Sequence, residues 1–171
     1  MLTIPRLLPS VLACTMLILM PGCASTSNVA VFAIGQRVLV GKISYQVLEA
    51  QWKSEIAGTK QPPKDRILQI HLAVTNSGGE EVSIPTLRLI DANGNERGEI
   101  TEIDGNDKWM GTIRRLQPAI TEEGLVFFDV PIGAYKLEVV DNTVADAEKN
   151  AFIEIPASLA PPPAPPGGLK G

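Results

Sequence analysis

Cysteine is almost missing from this chain. Two occur in 171 residues, Cys14 and Cys23, and both lie in the N-terminal segment. The rest of the chain therefore offers no disulfide framework, no thiolate metal site and no catalytic thiol. Histidine is limited to His71. One imidazole does not build a metal site without several carboxylates, and triad chemistry needs a positioned nucleophile beside it. Basic clusters are missing too. Fifteen Lys and Arg face nineteen Asp and Glu, the net charge is −4, and Arg114-Arg115 is the densest basic spot. An acidic chain without a basic stripe lacks the footprint of a nucleic-acid binder. No phosphate-cradling glycine loop, dinucleotide fingerprint or Gly-x-Ser-x-Gly appears. No catalytic residue, metal ligand or cofactor is expected, and the chain is not expected to be an enzyme.

What is present begins with an address. Leu7 to Met20 is apolar apart from Pro9, Ser10 and Thr15, and Arg6 supplies a positive flank. A run this short reads as an export signal and not as a spanning helix. It closes on Leu19-Met20-Pro21-Gly22-Cys23-Ala24. A small residue directly before a cysteine resembles the bacterial lipobox, which implies cleavage between Gly22 and Cys23 and a lipid on the Cys23 sulfur. A plain secretory signal is the other reading, and Val11-Leu12-Ala13-Cys14 is a second, shorter partial match. Ala24, and not aspartate, after the cysteine implies the outer membrane, facing the periplasm, in a host with two membranes. The expected organisation is a signal over 1–22, a lipidated cysteine and tether over 23–33, one domain over 34–155, and a Pro-rich disordered tail over 156–171.

Within 34–155 the hydrophobic period is two. Val38 and Val40 alternate with Arg37 and Leu39, and Ile43, Tyr45 and Val47 alternate with Ser44 and Gln46. Leu68, Ile70, Leu72 and Val74 form the clearest inward row, with His71 on the outward one. Val126, Phe128 and Val130 share a face, as do Tyr135, Leu137 and Val139. Turn chemistry separates the runs at Asn76-Ser77-Gly78, Asn93-Gly94-Asn95, Asp104-Gly105-Asn106 and Pro131-Ile132-Gly133. Seven or eight short strands predict an all-β, antiparallel sandwich. Val144 to Asn150 reads as one or two helical turns capped by Asp141 or Asn142.

Four pieces carry a resemblance: Val38 to Val47, Leu72 to Gly78, Leu87 to Asn95, and Val126 to Pro131. In this order and spacing, the stretch from about Ile34 to Ile155 resembles the telokin-like, immunoglobulin-fold domain of unknown function. That domain is found in bacterial lipoproteins and surface proteins and is related in fold to immunoprotective extracellular proteins. Leu116-Gln117-Pro118-Ala119 departs from it, because the family more often shows proline followed by glycine. The resemblance implies an extracytoplasmic binding or structural module and brings no catalytic residues.

The remaining candidates have local readings. Asn76 and Asp129 are expected to serve turns and strand ends. Asp91, Asn93, Asn95 and Glu102 mimic the first, third, fifth and twelfth positions of a calcium loop, but Glu96 stands where the motif needs glycine. A tight hairpin turn is the expectation there. The loop from Asp104 to Gly111 is irregular and carries Asp107 and Trp109. An exposed tryptophan on such a loop anchors partners, so Trp109, Asp104 and Asp107 are the expected partner-binding residues. Folding of Trp109 onto the sandwich edge is the plainer alternative. The expected function is a membrane-anchored lipoprotein whose non-catalytic domain binds a protein or cell-wall partner. The alternative is an extracytoplasmic carrier of a small molecule or calcium.

Overall fold

A computed structural model of the chain describes residues 29–143 and 149–159. The signal, Gly22 and Cys23 lie outside the described residues, as do Val144 to Ala147 and Glu148 of the expected helical turn, and the tail beyond Leu159.

Eleven strands follow one another: β1 (Val31–Ala33), β2 (Arg37–Val40), β3 (Ile43–Lys53), β4 (Arg66–Asn76), β5 (Val82–Ile84), β6 (Arg88–Ile90), β7 (Glu96–Gly98), β8 (Arg114–Leu116), β9 (Thr121–Val130), β10 (Tyr135–Asp141) and β11 (Lys149–Ile155). They form a five-stranded sheet, β1-β11-β10-β6-β7, a four-stranded sheet, β2-β3-β4-β9, and a small pair, β5-β8. Neighbours pair antiparallel except β1, which runs parallel to β11. The β-sandwich expected from the period, with the immunoglobulin-like form that the resemblance implied, is the fold. Two boundaries differ. Val31–Ala33, inside the stretch read as tether, is a strand, and Lys149 and Asn150 begin β11 and are not helical.

The inward rows fill the space between the sheets. Val38, Val47, Leu72, Val74, Leu89, Phe128, Val130 and Leu137 are all buried in one cluster. The register shifts at Leu48, where β3 bulges between Val47 and Glu49. One extra residue inverts the alternation, so Ala50 and not Glu49 returns to the core.

The registers define two poles. Asp141 pairs with Lys149, and the Phe152 N–H donates to the Ala30 carbonyl. The chain therefore enters the domain at the pole that carries the Gly41-Lys42 turn. There Asp141 accepts the Lys42 N–H at 2.6 Å, and a Cβ on Gly41 would meet the Asp141 carboxylate at 1.9 Å. Burial pushes the Asp141 carboxyl up, but hydrogen bonds from Thr143 and Lys42 outweigh it and hold it below the usual range. At the opposite pole Tyr135 pairs with Ile155, and Lys136 pairs with Ile90. The chain leaves β11 here, and Trp52 Nε1 donates to the Ala157 carbonyl at 3.1 Å.

Asn76, at the first pole, is fully buried and fully used. Its side-chain nitrogen donates to the Glu80 and Leu116 carbonyls at 2.7 and 2.9 Å, and its oxygen accepts the Gly78 N–H at 2.8 Å. Asp129 accepts the N–H groups of Lys64 and Asp65 at 2.8 and 2.9 Å. Asn76 has the turn role its sequence context predicts, whereas Asp129 bonds the distant segment that precedes β4 and not its own strand end.

Candidate functional site

At the pole where the chain leaves, the outer face of the five-stranded sheet holds a groove of about 820 Å³. Four separated pieces build it: the end of β1 with Ile34, the end of β6 with Ala92, the start of β10 with Ala134, and the end of β11 with Pro156. Outward positions on a sheet are normally polar. Here Ile90 and Phe152 occupy outward positions, because their neighbours Leu89 and Ile153 take the inward ones. The floor is therefore apolar. Lys136 Nζ stands 5.9 Å from the Phe152 ring centroid. Tyr135 forms one wall, and its hydroxyl donates to the Pro131 carbonyl at 2.7 Å. Burial pushes that phenol up. Asp91 and Glu154 put carboxylates on the rim. A concave, mostly apolar site of this volume with a few placed polar groups is the usual form of a binding site.

Beyond the groove the same face becomes charged. Arg88 reaches Glu96 at 3.1 Å and Glu138 at 2.8 Å, and Asn150 donates to Glu138 at 3.1 Å. The half-exposed Arg88–Glu96 pair orders the surface more than it stabilises it, while Glu138 is itself buried beneath Arg88.

The expected partner loop is built differently from its sequence reading. The Trp109 ring packs with Ile67, Ile103 and Phe127 in a second cluster on the outer face of β4 and β9. Its indole N–H is buried without a partner. The loop backbone bonds β9: Leu125 N–H donates to Lys108 O at 2.7 Å, and Met110 N–H donates to Leu125 O at 3.0 Å. Gly124 makes this approach possible, since a Cβ there would stand 2.4 Å from the Met110 side chain and 3.0 Å from the Lys108 carbonyl. The plainer alternative for Trp109 is thus the one the geometry adopts. The half-buried ring, with Ile56, Ile100 and Leu125, covers this cluster. Asp104 and Asp107 stay exposed. A glycine inside a strand pattern signals close backbone approach, and Gly124 is the residue from which this contact was legible.

The calcium count does not assemble. Asp91 accepts the N–H groups of Asn93 and Asn95 and the Asn95 side-chain amide, all within 2.9 Å, as a hairpin turn requires. The Asn95 side-chain hydrogen bond, foremost, holds the Asp91 carboxyl below its ordinary range. Glu102 instead meets Lys60 at 3.0 Å. Among the described residues no three His, Cys, Asp or Glu side chains gather as a metal-holding group. His71 faces outward from β4, opposite Glu49, with Nε2 3.8 Å from Glu123.

The groove was not anticipated from the sequence. Its lining comes from strand ends and turns that are distant along the chain, and only the registers bring them together. Ile90 and Phe152, apolar at outward positions, were the available signal.

A family model described as a domain of unknown function (DUF4352) matches residues 32–150. No curated protein matches the chain. Among solved structures, ycdA of Bacillus subtilis, described as a candidate lipoprotein, superposes with a TM-score of 0.58 at 15% identity, covering 71% of this chain. The chain spans only 38% of that protein's length. The yjhA protein of Bacillus subtilis gives 0.56 at 17% identity, covering 71% of this chain and 98% of its own. The secreted protein MPT63 of Mycobacterium tuberculosis gives 0.54 at 12% identity, covering 77% and 99%. At these identities the likeness concerns the fold.

Proposed function

The chain belongs to the DUF4352 family of domains of unknown function, and on that premise we propose that it is a lipid-anchored, non-catalytic binding module of the bacterial cell envelope. The observation that carries the reading is polar: the chain enters the sandwich at one pole, and the 820 Å³ apolar groove opens at the other. Val29 stands six residues after Cys23. Six extended residues reach about 20 Å, so an acyl chain on Cys23 holds the entry pole near the bilayer and presents the groove away from it. Acyl chains contribute about 0.8 kcal/mol per buried methylene, enough for a stable anchor when several share one cysteine. The partner is a protein or wall component that fills an apolar floor beside carboxylates, and the work is contact, not bond breaking. In a host with two membranes the location is the outer membrane, facing the periplasm.

Two measurements test this. Cells fed a labelled fatty acid should mark the wild-type chain and leave Cys23→Ala unmarked and released from membranes. Label retained by Cys23→Ala rejects the anchor. A photocrosslinking residue placed at Glu154 in living cells should give one discrete adduct, and the same residue at Thr75, on the other sheet, should give none. Equal patterns at both positions reject the groove as the contact surface.

A further inference from the structure

We infer that the flank between β1 and β2 rests on the bilayer surface, so that the sandwich leans on the membrane with this one side and does not swing freely about its anchor. The inference rests on the lipid anchor proposed above and adds an orientation. Its first support is apolar surface. β1 and β2 each end a large sheet and are joined by Ile34 to Gln36, so their outer edges lie on one side of the sandwich. Between them a notch of about 400 Å³ is lined by Val29, Phe32, Leu39, Val40 and Ala151. Leu39 is 65% exposed beside it. Among the described residues nothing bonds the outer edge of β2. Backbone groups on such an edge need water or headgroup oxygens, which keeps the contact at headgroup depth.

Charge is the second support. Lys149 lines the notch, and Arg37 stands two residues from Leu39 on the same face of β2. Among the described residues no carboxylate lines the notch. Asp141, which pairs with Lys149 across β10 and β11, is buried and accepts the Lys42 N–H. The far side of the same pole carries exposed Glu80, Glu81, Glu122 and Glu123. Ile120 is exposed there too, two residues before Glu122. Anionic headgroups attract the lysine side and repel the glutamate side, so the pole tilts towards β1 and β2.

The third support is where the chain enters. Val29 lines the notch and stands six residues after Cys23. Six residues span at most about 20 Å, so the acylated cysteine keeps this flank within reach of the bilayer whatever path they take.

The test places nitrogen-15 labelled, acylated protein in nanodiscs of phosphatidylethanolamine and phosphatidylglycerol, with a nitroxide on part of the headgroups. Intact mass first reports the acyl chains. The amides of Phe32, Leu39 and Ala151 should broaden severalfold more than those of Thr121, at the same pole, and Ile132, at the other. Leu39, Ser44, Thr75 and Thr121 form one row across the sheet, three strand spacings or about 14 Å, so the Leu39–Thr121 difference reads tilt. Leu39→Glu, a change at an exposed site, should lower the broadening at residue 39 to the level of Thr121. Equal broadening at Leu39 and Thr121 overturns the inference, as does broadening at residue 39 that Leu39→Glu leaves unchanged. Flank resonances that shift when two proteins share a disc, without lipid broadening, assign the flank to a second copy and overturn it as well. A chain without acyl groups overturns the anchor reading together with this one. Acylated protein in discs that fails the Leu39–Thr121 comparison overturns this one alone.

Discussion

Phe127 and Phe128 are neighbours in sequence, both fully buried, and they belong to different structures. Phe128 sits between the two sheets among residues whose alternation was visible from the sequence. Phe127 faces the other way, into the cluster closed by Ile56, Ile100, Ile103 and Trp109. The first core is made of strands packing on strands. The second is made of loops folded over a sheet's outer face, held by Ile100 N–H donating to Phe127 O at 2.7 Å and by the Lys108–Met110 bonds to Leu125. The difference also explains the edges. The loop covers the open edge of β9, while among the described residues nothing bonds the outer edge of β2. An uncovered strand edge invites pairing with other chains, and the loop removes that risk on one side.

Replacing each phenylalanine should separate the two cores. Phe128→Ala is expected to cost about 3–5 kcal/mol of unfolding free energy, because the interdigitated sheets cannot collapse onto the cavity. Phe127→Ala should cost less, about 2–3 kcal/mol, because loops relax into vacated space more readily. Urea unfolding followed by circular dichroism measures both. An equal or larger loss for Phe127→Ala would mean that the lateral cluster is as rigid as the interior.

The contrast also marks how far the sequence reached. Leu68 to Val74 and Val126 to Val130 announce the sandwich because period two is a local signal. Ile56, Ile100, Ile103 and Trp109 share a cluster but no period, and the irregular loop around Trp109 reads as a free surface until its backbone bonds to β9 are known. The groove was hidden for the same reason, being built at strand ends whose meeting depends on register. Asn76 was legible because its Gly78 and Glu80 partners lie close by in its own turn, whereas the Lys64 and Asp65 partners of Asp129 lie far along the chain and only the fold brings them near.

Gly124→Val sharpens the comparison from the loop's side. The added side chain must displace Met110 or the Lys108 carbonyl. Overpacking of this kind costs about 1–3 kcal/mol, and here it should lift the loop while sparing the sandwich. Emission from Trp109 should shift to the red and β9 amides should exchange faster, with Leu72 and Val74 still protected. Uniform loss of protection would show that the two regions unfold as one.

Acid and base should act on the regions in opposite senses. Arg114 and Glu99 form a buried pair at 2.7 Å beside the loop, and Arg114 Nε also donates to the Gly111 carbonyl at 2.7 Å. Burial pushes the Glu99 carboxyl up despite Arg114, and its second oxygen has no partner. A folded-state pKa above the unfolded one contributes stability that is complete below the unfolded value and is lost as pH rises through the folded value. Asp141, held below its usual range, contributes stability that is present above the unfolded value and lost as pH falls through the folded one. The stability difference between wild type and Glu99→Gln should therefore shrink as pH rises. The difference between wild type and Asp141→Asn should shrink as pH falls. Denaturation series across the carboxylate range read both slopes, and slopes of the same sign would reject the assignment.

The smallest effect belongs to one methyl group on the sandwich side. Ala119 has φ of 61°, and no other non-glycine among the described residues has a positive φ. It occupies the third position of a turn in which Ile120 N–H donates to Gln117 O at 3.2 Å after Pro118, the arrangement that favours glycine there. The strain is held because the Ala119 N–H donates to the Asn76 carbonyl at 2.9 Å, which ties the turn to the fully bonded Asn76. A left-handed alanine costs about 1–2 kcal/mol relative to its relaxed form, and glycine gives back part of that gain through a freer unfolded chain. Ala119→Gly should therefore raise stability by about 0.5–1 kcal/mol, a rise of a few degrees in Tm for a domain of this size. The gain should appear in global unfolding and leave Trp109 emission unchanged, since the turn touches the sandwich and not the lateral cluster. A fall in Tm would mean that the alanine methyl makes packing contacts worth more than the strain it carries.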